Sequence, residues 1–157
     1  MSDLIKQRIA EAQKLHDDKN ASEQEAARLA DEEKRKERER IDGIMRIWTE
    51  HTRPIIEKLV AACAAELQSL GGNILVKDRD IEGYDGFLAW IDIDIIRPIS
   101  NGGKTITYCI KLFKSGDVSF ARNLPVKSYS AKHHISEMVE PEIEKIIADI
   151  VFEALKP

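Results

Sequence analysis

At 157 residues, 43% hydrophobic and 33% charged, the chain has room for one domain with its own core plus an extension. The formal net charge is −4; residues 1–42 carry 10 Lys/Arg against 12 Asp/Glu and residues 43–157 carry 14 against 16, so neither part is basic enough for bulk attraction to nucleic acid or an anionic membrane. No apolar run reaches the ~18–20 residues that span a bilayer, the start lacks a basic-then-apolar leader, and Cys63 and Cys109 read as free thiols of a reducing compartment. The expectation is a small soluble cytoplasmic protein with no membrane contact.

Residues 1–42 predict a charged, solvated helical arm. Ile5, Ile9, Ala12 and Leu15 or His16 make a short apolar stripe, which Asp17–Ala21 interrupts. Ser22 followed by Glu25 fits a capping box, where a helix restarts unless one helix runs through. From Ala26 to Arg40 strong helix formers dominate, and Asp31–Arg35 and Glu32–Lys36 have the favourable i,i+4 order. Extended in steps of three and four, the Ile5/Ile9 seam meets Lys19, Glu23, Glu33, Glu37 and Arg40 before reaching Ile44. Such a polar centre does not sustain knobs-into-holes packing of a coiled coil. Short contacts at either end of the arm fit the pattern, so self-association through it is one expected partnership.

Residues 43–157 predict an α+β domain. After the weak break at Asp42-Gly43, Ile44, Ile47 and Trp48 open an apolar face that Ile55, Ile56, Leu59, Val60, Cys63, Leu67 and Leu70 continue at helical spacing. Pro54 either kinks this helix or starts a second one, and Gly71-Gly72 ends it. Asn73 to Lys77 reads as a short strand and Asp78 to Asp85 as a charged loop. The clearest strand follows, from Gly86 to Pro98. Phe87, Ala89, Ile91, Ile93 and Ile95 point one way; Leu88, Trp90, Asp92, Asp94 and Ile96 point the other.

A two-residue turn at Asn101-Gly102 predicts Ile95 opposite Tyr108, Ile93 opposite Ile110 and Ile91 opposite Leu112 on the core face. On the reverse face it sets Trp90 opposite Phe113 and Asp92 opposite Lys111. A three-residue loop, Lys114-Ser115-Gly116, then predicts Leu112 opposite Val118 and Ile110 opposite Phe120. A connector containing Pro125 leads to a last helix from about Ala131 to Leu155, its main segment opening at Pro141. Ile143, Ile146, Ile147, Ile150, Val151 and Leu155 form its stripe. The predicted architecture is a charged helical arm, then helix, four-stranded antiparallel meander and helix, with both helices on one face of the sheet.

Candidate chemistry is sparse. No G-x-S-x-G, P-loop or dinucleotide fingerprint occurs, so no catalytic residue is assigned and no cofactor is expected. Asp92 and Asp94 lie about 7 Å apart on one strand face, a spacing open to a metal-dependent enzyme, although alternating acids are common on solvated faces. His133 and His134 are adjacent and cannot share one helical face, and no zinc-type spacing accompanies them, so no metal ligand is assigned.

Lys127, Lys132, His133 and His134 form a basic cluster at the start of the predicted last helix. The helix–sheet–helix order of residues 54–155 resembles, in topology alone, that of double-stranded RNA-binding domains, which carry a lysine-rich motif at the start of their last helix. The resemblance implies nucleic-acid binding there; only Lys132 and the histidines match, and the sequence between does not. The stronger expectation is a non-enzymatic protein-binding or assembly module, of adaptor or inhibitor type. Its candidate partner surface is the reverse sheet face, Leu88, Trp90, Asp92, Ile96, Lys111 and Phe113, where large apolar groups lack a local helix to cover them.

Overall fold

A computed structural model describes residues 2–123 and 130–157. The chain divides into two compact units, Met1–Arg40 and Ile41–Pro157. Among the described residues no helix is long and apolar enough to cross a membrane.

Helix α1 (Asp3–Ile47) accounts for the first unit. It runs unbroken through Asp17–Ala21, the second of the two expected alternatives, and through Gly43, where a weak break was expected. A single helical glycine costs only about 1 kcal/mol, which the strong formers around it offset. Glu32 meets Lys36 at 3.7 Å, as its spacing predicts, while Arg35 reaches forward to Glu39 (3.3 Å) rather than back to Asp31. Arg28–Glu25 and Arg40–Glu37 close at 2.6 Å, so this helix draws on its own side-chain pairs.

The second unit begins on the last turns of α1, where Ile44 is buried, and continues through a π-helical turn (Trp48–Thr52) into α2 (Arg53–Ser69). Pro54 explains the wide turn. It has no N–H to give the Glu50 carbonyl, and just ahead of it the Arg53 N–H donates to the Trp48 carbonyl in an i,i+5 bond. The helix ends at Gly71-Gly72 as expected. Gly71 takes φ +86°, and the Gly72 N–H donates to the Leu67 carbonyl at 2.8 Å.

Five antiparallel strands follow in sequential order: β1 (Asn73–Asp78), β2 (Phe87–Ile96), β3 (Thr105–Phe113), β4 (Asp117–Arg122) and β5 (Ser130–His134). Helix α3 (Glu140–Leu155) closes the chain, with a proline in its first turn. The predicted four-stranded meander therefore gains a strand, and the last helix starts nine residues later than Ala131. Residues 130–134 pair with β4, placing Ala131 opposite Phe120 and His133 opposite Val118.

The β3–β4 register is the expected one, with Leu112 opposite Val118 and Gly116 at φ +89° in the turn. The β2–β3 register differs from expectation by two residues: Ile93 faces Tyr108 and Ile91 faces Ile110. A tight Asn101-Gly102 hairpin would have placed Pro98, which has no N–H, in the ladder. Instead the pairing stops at Ile96–Thr105, and the loop turns through a 3-10 segment (Ile99–Asn101), the Pro98 carbonyl accepting from the Asn101 and Gly103 N–H groups at 2.8 and 3.1 Å. A shift of two preserves the side-chain alternation, so every inward residue stays inward.

Those inward residues make the core. Ile91, Ile93, Ile95, Tyr108, Ile110, Leu112, Val118 and Phe120 pack with Ile56, Val60 and Leu67 of α2, with Ile143, Ile147 and Ile150 of α3, and with Ile44 and Trp48. Each fully buried aliphatic side chain contributes roughly 1.5–3 kcal/mol. Two polar ties fix α3: Lys58 meets Glu140 at 2.6 Å, and the buried Tyr108 hydroxyl donates to Glu153 at 2.7 Å.

The junction of α2 with the sheet supplies a test. A Cβ on Gly72 would lie 2.6 Å from the Ile96 carbonyl oxygen, whereas one on Gly71 meets open space at a positive φ. Gly71→Ala should cost about 1 kcal/mol from backbone strain alone, and Gly72→Ala roughly 2–3 kcal/mol from overpacking against backbone. Urea unfolding of both variants checks the order; equal losses would contradict the close approach.

Candidate functional site

The face of β2 opposite the core carries Trp90, Asp92 and Asp94, and its neighbours follow from the register. Lys111 stands opposite Trp90, Ser119 opposite Lys111, and Lys132 opposite Ser119. The Arg79 N–H donates to the Trp90 carbonyl, extending the line by one strand. One row thus crosses the sheet as cation, indole, cation, hydroxyl, cation, at about 4.8 Å per strand.

Beside this row lies an aromatic cluster. Phe87 and Phe113 centroids are 5.1 Å apart, Phe87 and Trp90 5.8 Å, and Tyr84 sits 5.8 Å from Trp90 and 5.9 Å from Phe87. Lys111 Nζ lies 4.4 Å from the Trp90 ring centroid and 5.3 Å from that of Phe87; Arg79 lies 5.1 Å from Trp90 and Lys132 5.9 Å from Phe113. Each contact of this kind contributes about 0.5–1 kcal/mol at an exposed site. Tyr84 is 53% exposed, and Phe87, Trp90 and Phe113 are half-buried.

Phe87 reaches this face through a β-bulge. The pairing slips between Phe87 and Ala89, so Phe87 faces Phe113 while Ala89 faces Leu112. One extra residue reverses the alternation. Phe87, expected in the core, joins the rings, and Leu88, expected among them, packs against the core. Ile96 lies at the far end of β2, opposite Thr105, away from the cluster. Trp90, Lys111 and Phe113 share this face as expected, but the two-residue shift sets Trp90 opposite Lys111 rather than Phe113, which faces Phe87 instead; Arg79, Tyr84 and Phe87 are members that the strand pattern did not reveal.

The two aspartates are not open carboxylates. Asp92 is 5% exposed and Asp94 8%. Asp92 accepts from Trp90 Nε1 at 3.1 Å and pairs with Arg79 at 3.3 Å; its cross-strand neighbour is Cys109 rather than the expected Lys111, a consequence of the two-residue shift. Asp94 accepts from the Thr107 hydroxyl at 2.6 Å and pairs with Lys77 at 3.0 Å. Burial works to raise the Asp94 pKa, but the Thr107 and Lys77 hydrogen bonds outweigh it and hold the carboxyl below its ordinary value. Burial, then the Asp92 carboxylate, push the Cys109 thiol up, away from nucleophile chemistry. Among the described residues no group of three or more His, Cys, Asp or Glu is placed to hold a metal ion.

The basic cluster is dispersed. Lys127 lies outside the described residues. Lys132, His133 and His134 are on strand β5, not at a helix start, and successive residues alternate between the faces. Lys132 pairs with Asp117 at 3.6 Å; His134 packs over Gly116, its Nδ1 accepting from the Ser136 N–H at 3.2 Å. His133 stands opposite Val118, on the core side.

At the edge of the aromatic face a cavity of about 610 Å³ opens between the start of α2 and the first strands, lined in part by Trp48, Arg53, Asp78, Arg79 and Trp90. Hydrogen bonds to Asp78 and then Glu57 raise the Arg53 pKa and tie its guanidinium across that wall. Compared with protein-family models, curated proteins and solved structures, the chain matches none significantly.

The depressed Asp94 pKa gives a signed pH dependence. Its ionised form stabilises the fold above the carboxyl's ordinary pKa, and that contribution is lost as pH falls through the lower folded value. Asp94→Asn should lower stability at pH 7 by about 1–2 kcal/mol and flatten the fall in stability below pH 4. Thermal melts of both proteins from pH 7 to pH 3 check it; parallel curves would remove Asp94 from the acid response.

Proposed function

We propose that the chain is a non-enzymatic binding module, of adaptor or inhibitor type, which docks a partner protein on the sheet face around Trp90. The observation that carries this reading is the four-ring cluster of Tyr84, Phe87, Trp90 and Phe113 with Lys111 at its centre. Aromatic side chains presented from paired strands are the residue type that dominates interface energetics, because they bury much area at low cost in side-chain entropy.

The charges define the partner. Arg79, Lys77 and Lys132 already have carboxylate neighbours, whereas Lys111 meets rings and, among the described residues, no carboxylate within ion-pair distance. A partner surface with an apolar or aromatic centre and one or two carboxylates complements this face. Nucleic acid is the weaker fit: affinity for phosphates rises with the number of cations that neutralise them, and here one central cation is uncompensated on a chain of net charge −4.

The test is affinity capture from the native host, read by mass spectrometry with and without nuclease, for the wild type and for Trp90→Ala/Phe113→Ala. Both rings are half-buried on an outer face, so the double variant should keep its far-UV circular dichroism while binding its partner at least thirtyfold more weakly, about 2 kcal/mol or more being the loss on truncating one central aromatic anchor. A folded double variant that retains the same partner at the same affinity would exclude this face, and capture lost on nuclease treatment would favour nucleic acid.

A further inference from the structure

The outer side of the helix layer is a second surface, independent of the sheet face. Helices α2 and α3 run in the same direction: Lys58 meets Glu140 near both starts, and Leu70 and Leu155 line one concavity near both ends. In a domain with one sheet and one helix layer, the side of the helices away from the sheet normally meets water and is polar. Here it is apolar. Two adjoining concavities of about 380 and 650 Å³ share Cys63, Ala148, Val151 and Leu155, and beside them Phe152 is 70% exposed and Leu70 65%. An exposed contiguous patch of this kind marks an interaction site.

We propose that two copies of the chain pair through this surface as a two-fold dimer, the Phe152 ring of each copy entering the concavity lined by Cys63 and Ala148 of the other. Three features select a second copy as the occupant. The patch carries both a projecting ring and a hollow with Cys63 and Ala148 on its lining, and a two-fold contact requires a surface that complements itself. One pair of its charges is arranged for reversal: Glu144 lines the beginning of the groove and Lys156 its end, with Glu66 also on the lining, and a two-fold axis across the groove brings Glu144 of each copy beside Lys156 of the other. The area is sufficient for a weak dimer. Helix α2 has 17 residues and α3 has 16, each about 25 Å long, so their joint outer side offers on the order of 500 Å² per copy, or about 1,000 Å² in total, the lower bound for a specific interface. Dissociation is therefore expected in the micromolar range.

Sedimentation equilibrium of the full chain from about 1 to 300 µM tests the pairing, spanning the weak range that such an area implies. The wild type should pass from monomer to dimer across this range. Phe152→Glu, which removes the ring, and Ala148→Glu, which fills the hollow, should each remain monomeric with unchanged circular dichroism, since both positions are solvent-facing. Glu144→Lys and Lys156→Glu should each weaken the dimer about fivefold, and the doubly swapped chain should regain wild-type affinity, because rim pairs of this kind contribute modestly and symmetry counts each twice. A wild type that is monomeric throughout overturns the proposal, as does a dimer that survives Phe152→Glu, or a swapped chain no tighter than its single variants. An oligomer abolished instead by Ile9→Asp, on the exposed stripe of α1, would assign self-association to that helix and overturn it equally.

Discussion

Strand β2 imposes the constraint on which the second unit rests. Its period of two drives Ile91, Ile93 and Ile95 into the core, and the same alternation forces Asp92 and Asp94 onto the opposite face, where they are nearly as buried. A carboxylate removed from water needs partners, or its desolvation cancels several side chains' worth of apolar burial. The partners come from strand β1 and the residue that follows it: Lys77 and Arg79 lie along the face with their heads on Asp94 and Asp92 and much of their length exposed. Thr107 and the Trp90 indole N–H supply the remaining hydrogen bonds. The paired acids thus act as structural ties between β1, β2 and β3, with the β2 carboxylates engaged by neighbours rather than held open for a substrate.

The ring cluster follows from those ties. Arg79 is held by Asp92 and so lies against one side of Trp90, whose own N–H bonds the same carboxylate. Trp90 is oriented by that bond, and the bulge at the start of β2 swings Phe87 over to it. Lys111 then faces an indole rather than the aspartate that a tighter hairpin would have offered. A salt bridge expected from the turn becomes a cation–π contact.

How much of this was legible depended on where strong local signals met non-local ones. The alternation of β2 named the core residues, the Gly116 loop set the β3–β4 register, and the Ile143–Leu155 stripe located the last helix. Each of these is a short-range pattern with a single physical solution. Strand β5 was not legible. Ser-Ala-Lys-His-His has no apolar alternation and forms only because β4 offers an edge to pair with. The Asn-Gly signal was present but overridden by Pro98, and the correction was invisible in the side-chain pattern because a slip of two residues leaves both faces unchanged. The bulge at Leu88 carried no signal in an apolar run where either phase looked acceptable. Of the candidate face, Trp90, Lys111 and Phe113 were readable; Tyr84, Phe87 and Arg79 were not, since a loop, a bulge and a strand end place them.

The two surfaces of the second unit differ in what their chemistry permits. The sheet face combines rings with fixed charges, so on the proposed reading a wrong partner would meet either an unmatched Lys111 or a steric clash with an oriented indole. The groove on the helix side is largely apolar, with Glu66, Glu144 and Lys156 on its lining and a projecting ring, Phe152. Apolar area yields affinity without much selectivity, which would suit the proposed contact between identical copies, where the same patch supplies both halves and symmetry fixes the register. The two proposed surfaces lie on opposite layers and would be compatible, because the core that separates them is anchored by Tyr108, bonded to Glu153 of α3 from within the sheet. Occupying one side leaves the residues of the other untouched, so pairing through the helices would present two sheet faces at once and raise the avidity for any partner that is itself multivalent.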